Sequence, residues 1–291
     1  MKAPPFGYVR ANSLAEALRL WSQAGPEAKV LAGGQSLLAT LAFRLSEPTL
    51  LVDIGRVAEL GGISAGSAAL RVGALTTHAE LGADARVCQH APLLAEAVPL
   101  IAHPAIRNRG TIGGSLAYAD PAAELPACAV ALDASIVARS AAGERRIPAG
   151  AFFRGLYQTA LEPYELIAAV EFPLRQRAER STILELARRA GDYAMAGIAA
   201  RARLQDGIIA EPRLVFFGVG EMPVLAVGAM AALAGGSGDQ RSISAAQAAL
   251  DADLDPPADL HGGAAMKREL ARVLLARAVA RLTAGEEDGA A

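Results

Sequence analysis

Two glycine pairs, in Ala32-Gly-Gly-Gln-Ser36 and Thr111-Ile-Gly-Gly-Ser115, constrain this chain more than any other short string, and each is followed within two residues by a hydroxyl. Adjacent glycines are favoured where the backbone takes φ > 0 or approaches a neighbour more closely than a Cβ permits. Successive N–H groups in such a loop can converge on an anion. The hydroxyls of Ser36, Thr111 and Ser115 add donors, which describes a cradle for phosphate or pyrophosphate. A tight turn uses the same residues for conformational reasons alone, and the strings by themselves leave both readings open.

The segments around these loops alternate between strand and helix signals. Ser13-Leu-Ala-Glu16 is a capping box that predicts a helix with Leu14, Leu18 and Trp21 on one face, stopped by Gly25-Pro26. Lys29-Val-Leu-Ala32 reads as a short strand running into the first glycine pair, residues 49–54 and 70–73 as further strands, and Thr77-His-Ala-Glu80 as a second capping box. Residues 103–116 fit no periodic template and are predicted to form a structured loop. Asp120-Pro121 predicts an N-cap and first helical position for an Ala-rich helix through Ala131. Residues 135–139 and 165–172 read as strands, and the polar run 175–181 as a linker. Beyond it, the apolar runs 196–204 and 208–218 meet at Asp206-Gly207, a dipeptide suited to a tight hairpin. Leu270, Leu274, Ala278 and Leu282 mark a closing amphipathic helix, after which residues 285–291 are expected to fray. The fold class is α+β in two or three lobes, without internal repeats.

Composition removes whole classes of function. The 291 residues are 53% hydrophobic and 20% charged, enough to bury a substantial core. With 28 basic against 30 acidic residues there is no cationic excess to hold a polyanion, so nucleic acid is not an expected partner. The longest charge-free stretch, residues 222–238, is shorter than the roughly 20 apolar residues that span a bilayer and contains Pro223. The N-terminus lacks the apolar core and cleavage site of a signal peptide, and a cytoplasmic location is expected. Two distant cysteines, Cys88 and Cys128, suit a reducing compartment and cannot ligate an iron–sulfur cluster, which normally takes about four thiolates.

Other signatures fail on context. Gly62-Ile-Ser-Ala-Gly66 matches a nucleophile elbow, yet its surroundings are turn-like and Ser64 is read as a turn residue. Gly218-Val-Gly-Glu-Met-Pro223 starts like a dinucleotide fingerprint and ends in proline. His78, His90, His103 and His261 show no metal-ligand spacing. Arg188, Arg189 and Asp192 read as a solvated charge run, and Tyr193 taken alone is as readily a core aromatic as a ligand-facing one.

Five strings in order, Lys29-Val-Leu-Ala-Gly-Gly-Gln-Ser36, Gly73-Ala-Leu-Thr-Thr-His78, Ile106-Arg-Asn-Arg-Gly-Thr-Ile-Gly-Gly-Ser115, Ala119-Asp-Pro-Ala-Ala-Glu124 and Arg189-Ala-Gly-Asp-Tyr193, resemble the FAD-binding medium subunit of molybdenum hydroxylases. That family includes the medium subunits of aerobic carbon monoxide dehydrogenase and of xanthine, nicotine and caffeine dehydrogenases. The resemblance runs from the N-terminus to the closing helix. It implies an FAD-binding region over residues 1–176, in lobes of about 1–58 and 59–176, and a C-terminal α+β domain over 177–285 with an antiparallel three-stranded sheet and a helical bundle, leaving a tail at 286–291. It further implies that Ala32, Gly33, Gly34, Gln35 and Ser36, with Thr111, Ile112, Gly113, Gly114 and Ser115, wrap the FAD pyrophosphate. Asp120 is then expected to hold the ribityl or ribose portion, Leu161 and Tyr193 to lie near the isoalloxazine ring, and Ile101 to line the same cleft. No catalytic or metal-ligating residue is implied on this chain. The molybdenum cofactor and the iron–sulfur clusters are expected in a large and a small partner subunit, in a heterotrimer or a dimer of heterotrimers.

Gln35 stands where many members have His, Ala105 where Gln is usual, Tyr118 where His often precedes Ala-Asp-Pro, and Met266-Lys267 where Tyr-Arg is common. Gln still donates a hydrogen bond, so these departures bear on flavin potential or acceptor preference more than on binding. A stand-alone flavin reductase of the same superfold and a non-catalytic nucleotide-binding scaffold are the rival readings. The residue 106–115 string favours the hydroxylase family over the first, and a flavin spectrum in the purified protein excludes the second.

Overall fold

The computed structural model describes residues 2–284; the expected tail at 286–291 lies outside the described residues. The first lobe alternates β1 (Gly7–Arg10), α1 (Leu14–Ala24), β2 (Ala28–Leu31), α2 (Leu37–Ala42) and β3 (Leu50–Asp53), and its sheet is parallel in the order β1-β3-β2. Ser13 caps α1 by accepting from the Glu16 N–H at 3.2 Å. The Glu16 carboxylate reaches one residue further back than a capping box requires, to the Asn12 N–H at 2.8 Å. Gly25, at φ +84°, ends the helix.

The second lobe holds β4 (Ile63–Ala65), β5 (Ala69–Gly73), α3 (His78–Ala83), α4 (Ala85–His90), α5 (Pro92–Ala97), α6 (Pro104–Arg107), α7 (Ile112–Tyr118) and α8 (Glu124–Ala131). It continues through β6 (Ser135–Ser140), β7 (Gly143–Pro148), α9 (Ala149–Phe152), β8 (Phe153–Gly155), β9 (Gln158–Thr159) and β10 (Leu166–Pro173). Five strands form an antiparallel sheet in the order β4-β5-β10-β6-β7, while β8 and β9 make a small hairpin. The capping box at Thr77 closes as predicted, with Thr77 accepting from the Glu80 N–H at 3.2 Å and Glu80 from the Thr77 N–H at 2.8 Å.

Three local expectations are corrected here. Residues 103–116 are not one loop: α6 occupies part of them, and Thr111 caps α7, so the second glycine pair lies in a first helical turn. Asp120 does not cap α8. Its Oδ1 accepts from the Ala122 N–H at 2.9 Å in a local turn, and the helix begins at Glu124, because the short acid finds a nearer donor than any of the helix. Ser64 lies in the edge strand β4, paired with Arg71, rather than in a turn.

The C-terminal part contains β11 (Glu179–Leu186), β12 (Ala196–Gln205), β13 (Ile208–Phe217), β14 (Val224–Leu225), α10 (Val227–Leu233), α11 (Gln240–Asp253) and α12 (Ala264–Thr283). Three long antiparallel strands form its sheet, and the two-residue β14 adds a short fourth. The β12–β13 hairpin turns at Asp206 and Gly207, both at φ > 0 (+51° and +79°). The polar run at 175–181 is a shorter linker than expected because β11 already starts at Glu179. Ile198, Ala200, Leu214 and Phe216 point into the cluster formed with the helices α10 to α12, whereas Ala199, Val215 and Phe217 join the cluster around α8. A sheet covered on both faces needs apolar residues at successive positions, which is why β12 and β13 read as runs rather than alternations. All eight residues of α8 are buried, and its alanines let it fit between the second lobe and this sheet.

Candidate functional site

The first glycine pair joins β2 to α2. Gly34 sits at φ +74°, and no acceptor takes the N–H groups of Gly33, Gly34, Gln35 or Ser36 among the described residues. Ser36 makes no side-chain cap to α2. Gln35 folds its amide back onto the Gly33 carbonyl at 3.0 Å and braces the loop. The result is a run of backbone donors at a strand-to-helix turn, the concavity that binds anions in proteins generally.

The second pair is built differently. Ile112 N–H donates to Thr76 O at 3.0 Å, Gly113 N–H to Ala74 O at 2.9 Å and Ser115 N–H to Thr111 O at 3.0 Å. Gly114 N–H donates to Thr111 Oγ1 at 3.1 Å. With these donors engaged and the buried Thr111 hydroxyl serving as the cap of α7, the half-buried Ser115 hydroxyl is the group this loop leaves for a ligand. Its glycines serve close approach: a Cβ on Gly113 would stand 2.5 Å from Ala74 Cβ.

The fold brings the two loops into contact. A Cβ on Gly33 would stand 2.0 Å from the Arg109 carbonyl oxygen, and one on Gly114 would stand 4.0 Å from Ala32 Cβ. Beneath them His78 is buried against Gly110, and burial holds its imidazole below the ordinary value.

From α7 the chain leads through Tyr118 to the Asp120 turn. The Tyr118 ring packs edge-on against Tyr157, at 5.2 Å between centroids, and Tyr157 stands half-exposed at the tip of the β8–β9 hairpin with φ +55°. Tyr193 is 61% exposed, which excludes a core role. Desolvation nevertheless pushes its phenol up to about 12, with the charge of Asp120 adding to the effect. The ring is thus open to solvent while its hydroxyl is partly desolvated by the protein around it. Its loop is seated on residues 102–103, because a Cβ on Gly191 would stand 2.9 Å from His103 Cε1 and 3.1 Å from Ala102 O. Ile101 is buried in the hydrophobic cluster of the second lobe, and Leu161 packs half-buried against that cluster.

Burial raises the Asp120 carboxyl, and behind it Glu124 is pushed up to about 8 by desolvation, then by its neighbours Glu185 and Asp120. Glu185 is pushed up to about 7 by burial, and its Oε2 has no hydrogen-bond partner among the described residues. Glu185 pairs with Gly197 and Gly197 with Phe217, so Glu185 shares the sheet face of Phe217, the face that packs on α8. The sequence reading missed Tyr157, Glu124 and Glu185 as members of this region. An aromatic beside the glycine of a short connection could have signalled Tyr157, whereas Glu185 looks like any polar residue of a strand. A groove of about 730 Å³ lies elsewhere, between α1 and the second lobe. Two of its arginines, Arg71 and Arg139, are already paired with Glu171 and Glu144.

Comparison with known proteins identifies the family. The family described as FAD binding domain in molybdopterin dehydrogenase matches residues 4–175, and that described as CO dehydrogenase flavoprotein C-terminal domain matches residues 181–282. The 6-hydroxypseudooxynicotine dehydrogenase complex subunit alpha of Paenarthrobacter nicotinovorans is 41% identical over 97% of this chain and 95% of its own length. The carbon monoxide dehydrogenase medium chain of Hydrogenophaga pseudoflava is 36% identical over 96% and 97%. The solved carbon monoxide dehydrogenase from Hydrogenophaga pseudoflava, in a form lacking the Mo-pyranopterin moiety of the molybdenum cofactor, aligns with a TM-score of 0.95 at 37% identity, over 97% of this chain and 98% of that one. Quinoline 2-oxidoreductase from Pseudomonas putida 86 aligns with a TM-score of 0.92 at 37% identity, over 97% and 98%. Two family matches that together span almost the whole chain, and relatives covered nearly end to end, establish that this protein belongs to the FAD-binding medium subunits of the molybdenum hydroxylases.

Proposed function

We propose that this chain holds FAD between its glycine loops and its tyrosine wall, receives electrons from a small iron–sulfur subunit fed by a large molybdenum subunit, and passes them to an external acceptor. The observation that carries this reading is the first glycine loop, whose unengaged N–H groups and left-handed Gly34 suit a pyrophosphate. When bound, FAD supplies the capacity to exchange electrons singly or in pairs. The chain's own residues do the rest. Ala32, Gly33, Gly34, Gln35 and Ser36 orient the pyrophosphate through the backbone, and Ser115 adds a hydroxyl. Thr111, Ile112, Gly113 and Gly114 hold α7 close enough for that hydroxyl to reach. Asp120 keeps one oxygen for its own turn and turns the other to the ribityl or ribose hydroxyls. Tyr193 shields the ring system from water, Leu161 lies near the same ring system and Ile101 lines its cleft.

The same reading divides the chain at 176/177, with lobes of about 1–58 and 59–176, a boundary supported by the two family matches meeting between residues 175 and 181. It places the protein in the cytoplasm, in a heterotrimer or a dimer of heterotrimers. Purification of the native complex, with identification of its chains and metal analysis of each, tests the proposal. One FAD on this chain, with molybdenum and iron on the companions, is expected. Stoichiometric iron on this chain, or a chain that takes up no FAD, would overturn it.

A further inference from the structure

Lys267, in the first turns of α12, is one of three lysines in the chain and is only 2% exposed. An ammonium taken out of water is costly unless its protons are received. Here Nζ donates to Asp259 Oδ2 at 2.5 Å and to the Gly218 carbonyl at 3.1 Å. Gly218 follows β13 at φ +73°, and its N–H donates to the Pro121 carbonyl at 2.8 Å, immediately beside Asp120. A Cβ on Gly218 would stand 2.8 Å from Ala194 O and 3.3 Å from Met195 C, so its backbone is also wedged against the segment that follows Tyr193. One residue therefore touches both the turn that carries Asp120 and the strand entry that carries Tyr193, and the buried ammonium is bonded to that residue.

We propose that Lys267 is a positioning residue for the flavin cleft: by holding Gly218 from the helical side, it sets the spacing between the Asp120 turn and Tyr193. The inference rests on the FAD reading above and adds a residue of the C-terminal helices, outside the cleft wall, to the determinants of the site. A purely structural ion pair would stabilise the domain without reaching the cofactor, and the two roles separate in experiment.

Lys267→Met, Asp259→Asn and, as a control in the same helix, Leu274→Ala are compared with the unmodified full chain by FAD titration of deflavinated protein, visible circular dichroism of the bound flavin, and its midpoint potential. Lys267→Met is expected to weaken FAD about tenfold and to change the flavin dichroism, in proportion to the loss of a charge-assisted hydrogen bond. Lys267→Arg restores the charge and is expected to recover most of the affinity. Asp259→Asn presents an N–H donor to the ammonium and is expected to weaken FAD about threefold. Leu274→Ala, buried among the helices, is expected to lower Tm while FAD affinity stays within about twofold. Lys267→Met protein with normal FAD affinity, dichroism and potential overturns the proposal. Where that variant does not fold, Asp259→Asn decides: weaker FAD at unchanged Tm supports the link, and unchanged FAD overturns it. Failure of the unmodified chain to bind FAD would instead refute the cofactor reading on which the link rests.

Discussion

The two glycine pairs are nearly the same string and do different work. In the first, glycine supplies a left-handed residue and leaves a row of N–H groups open at the end of a strand. In the second, none of the four residues 112–115 has an open N–H, and glycine is present because α7 packs against Ala74 at a distance no side chain allows. One pair is a donor surface; the other is a spacer whose value lies in what it brings near, namely the Ser115 hydroxyl and, at the end of α7, Tyr118 and Asp120. A glycine pair thus signals close approach, and only the surrounding hydrogen bonds tell whether a ligand or a neighbouring strand does the approaching.

The largest expected effect breaks the donor surface. Gly34→Val places a branched side chain at φ +74°, with its Cβ 3.0 Å from Leu38 Cδ1. A left-handed residue costs about 1–2 kcal/mol and overpacking about 1–3 kcal/mol. The loop rearranges in response, and FAD affinity measured by titration is expected to fall by about 100-fold or more. Binding as tight as that of the unmodified chain would show that the first pair is no cradle.

Gly113→Ala attacks the spacer, where the added methyl meets Ala74 backbone and side chain. Chemical denaturation is expected to show a loss of about 1–3 kcal/mol. FAD affinity is expected to fall far less than in Gly34→Val. An affinity loss as large as that of Gly34→Val without any loss of stability would erase the distinction between the two loops.

Beyond the spacer, the acids behind Asp120 give the second region a pH signature that the first lacks. Glu124 is held protonated in the fold, with its carboxyl raised from 4.5 to about 8, while it ionises freely in the unfolded chain. Its contribution to stability is therefore complete below about pH 4.5 and is lost as pH rises through about 8. Unfolding free energies from denaturant titrations between pH 5 and 9 are expected to decline by on the order of 4 kcal/mol, with Glu185 sharing the titration, and Glu124→Gln is expected to flatten the decline. A variant with the unmodified slope would remove Glu124 as its source.

The smallest expected change in stability is at Tyr193. Its ring is 61% exposed, so Tyr193→Ala and Tyr193→Phe are both expected to lie within about 0.5 kcal/mol of the unmodified chain. Ala is expected to alter the flavin spectrum and the rate of reoxidation more than Phe does. Normal flavin reoxidation in Tyr193→Ala protein would take this tyrosine out of the site.

Local chemistry determined much of this protein before any folding. The caps at Ser13 and Thr77 and the Asp206-Gly207 hairpin turn follow from hydrogen bonds and backbone preferences within a few residues of one another. The five strings identified the family for the same reason, since residue type and order are all such strings contain. What only the tertiary structure decided depends on partners far away in sequence. Residues 112–115 traded open donors for Ala74, Thr76 and a helical cap, and Tyr193 went to the surface instead of the core. Lys267 became a link to the cleft through Gly218 and Pro121. Hydrogen bonds and burial between distant segments exist only once the chain has closed on itself, and the same glycine, acid or lysine has no fixed role until those neighbours arrive.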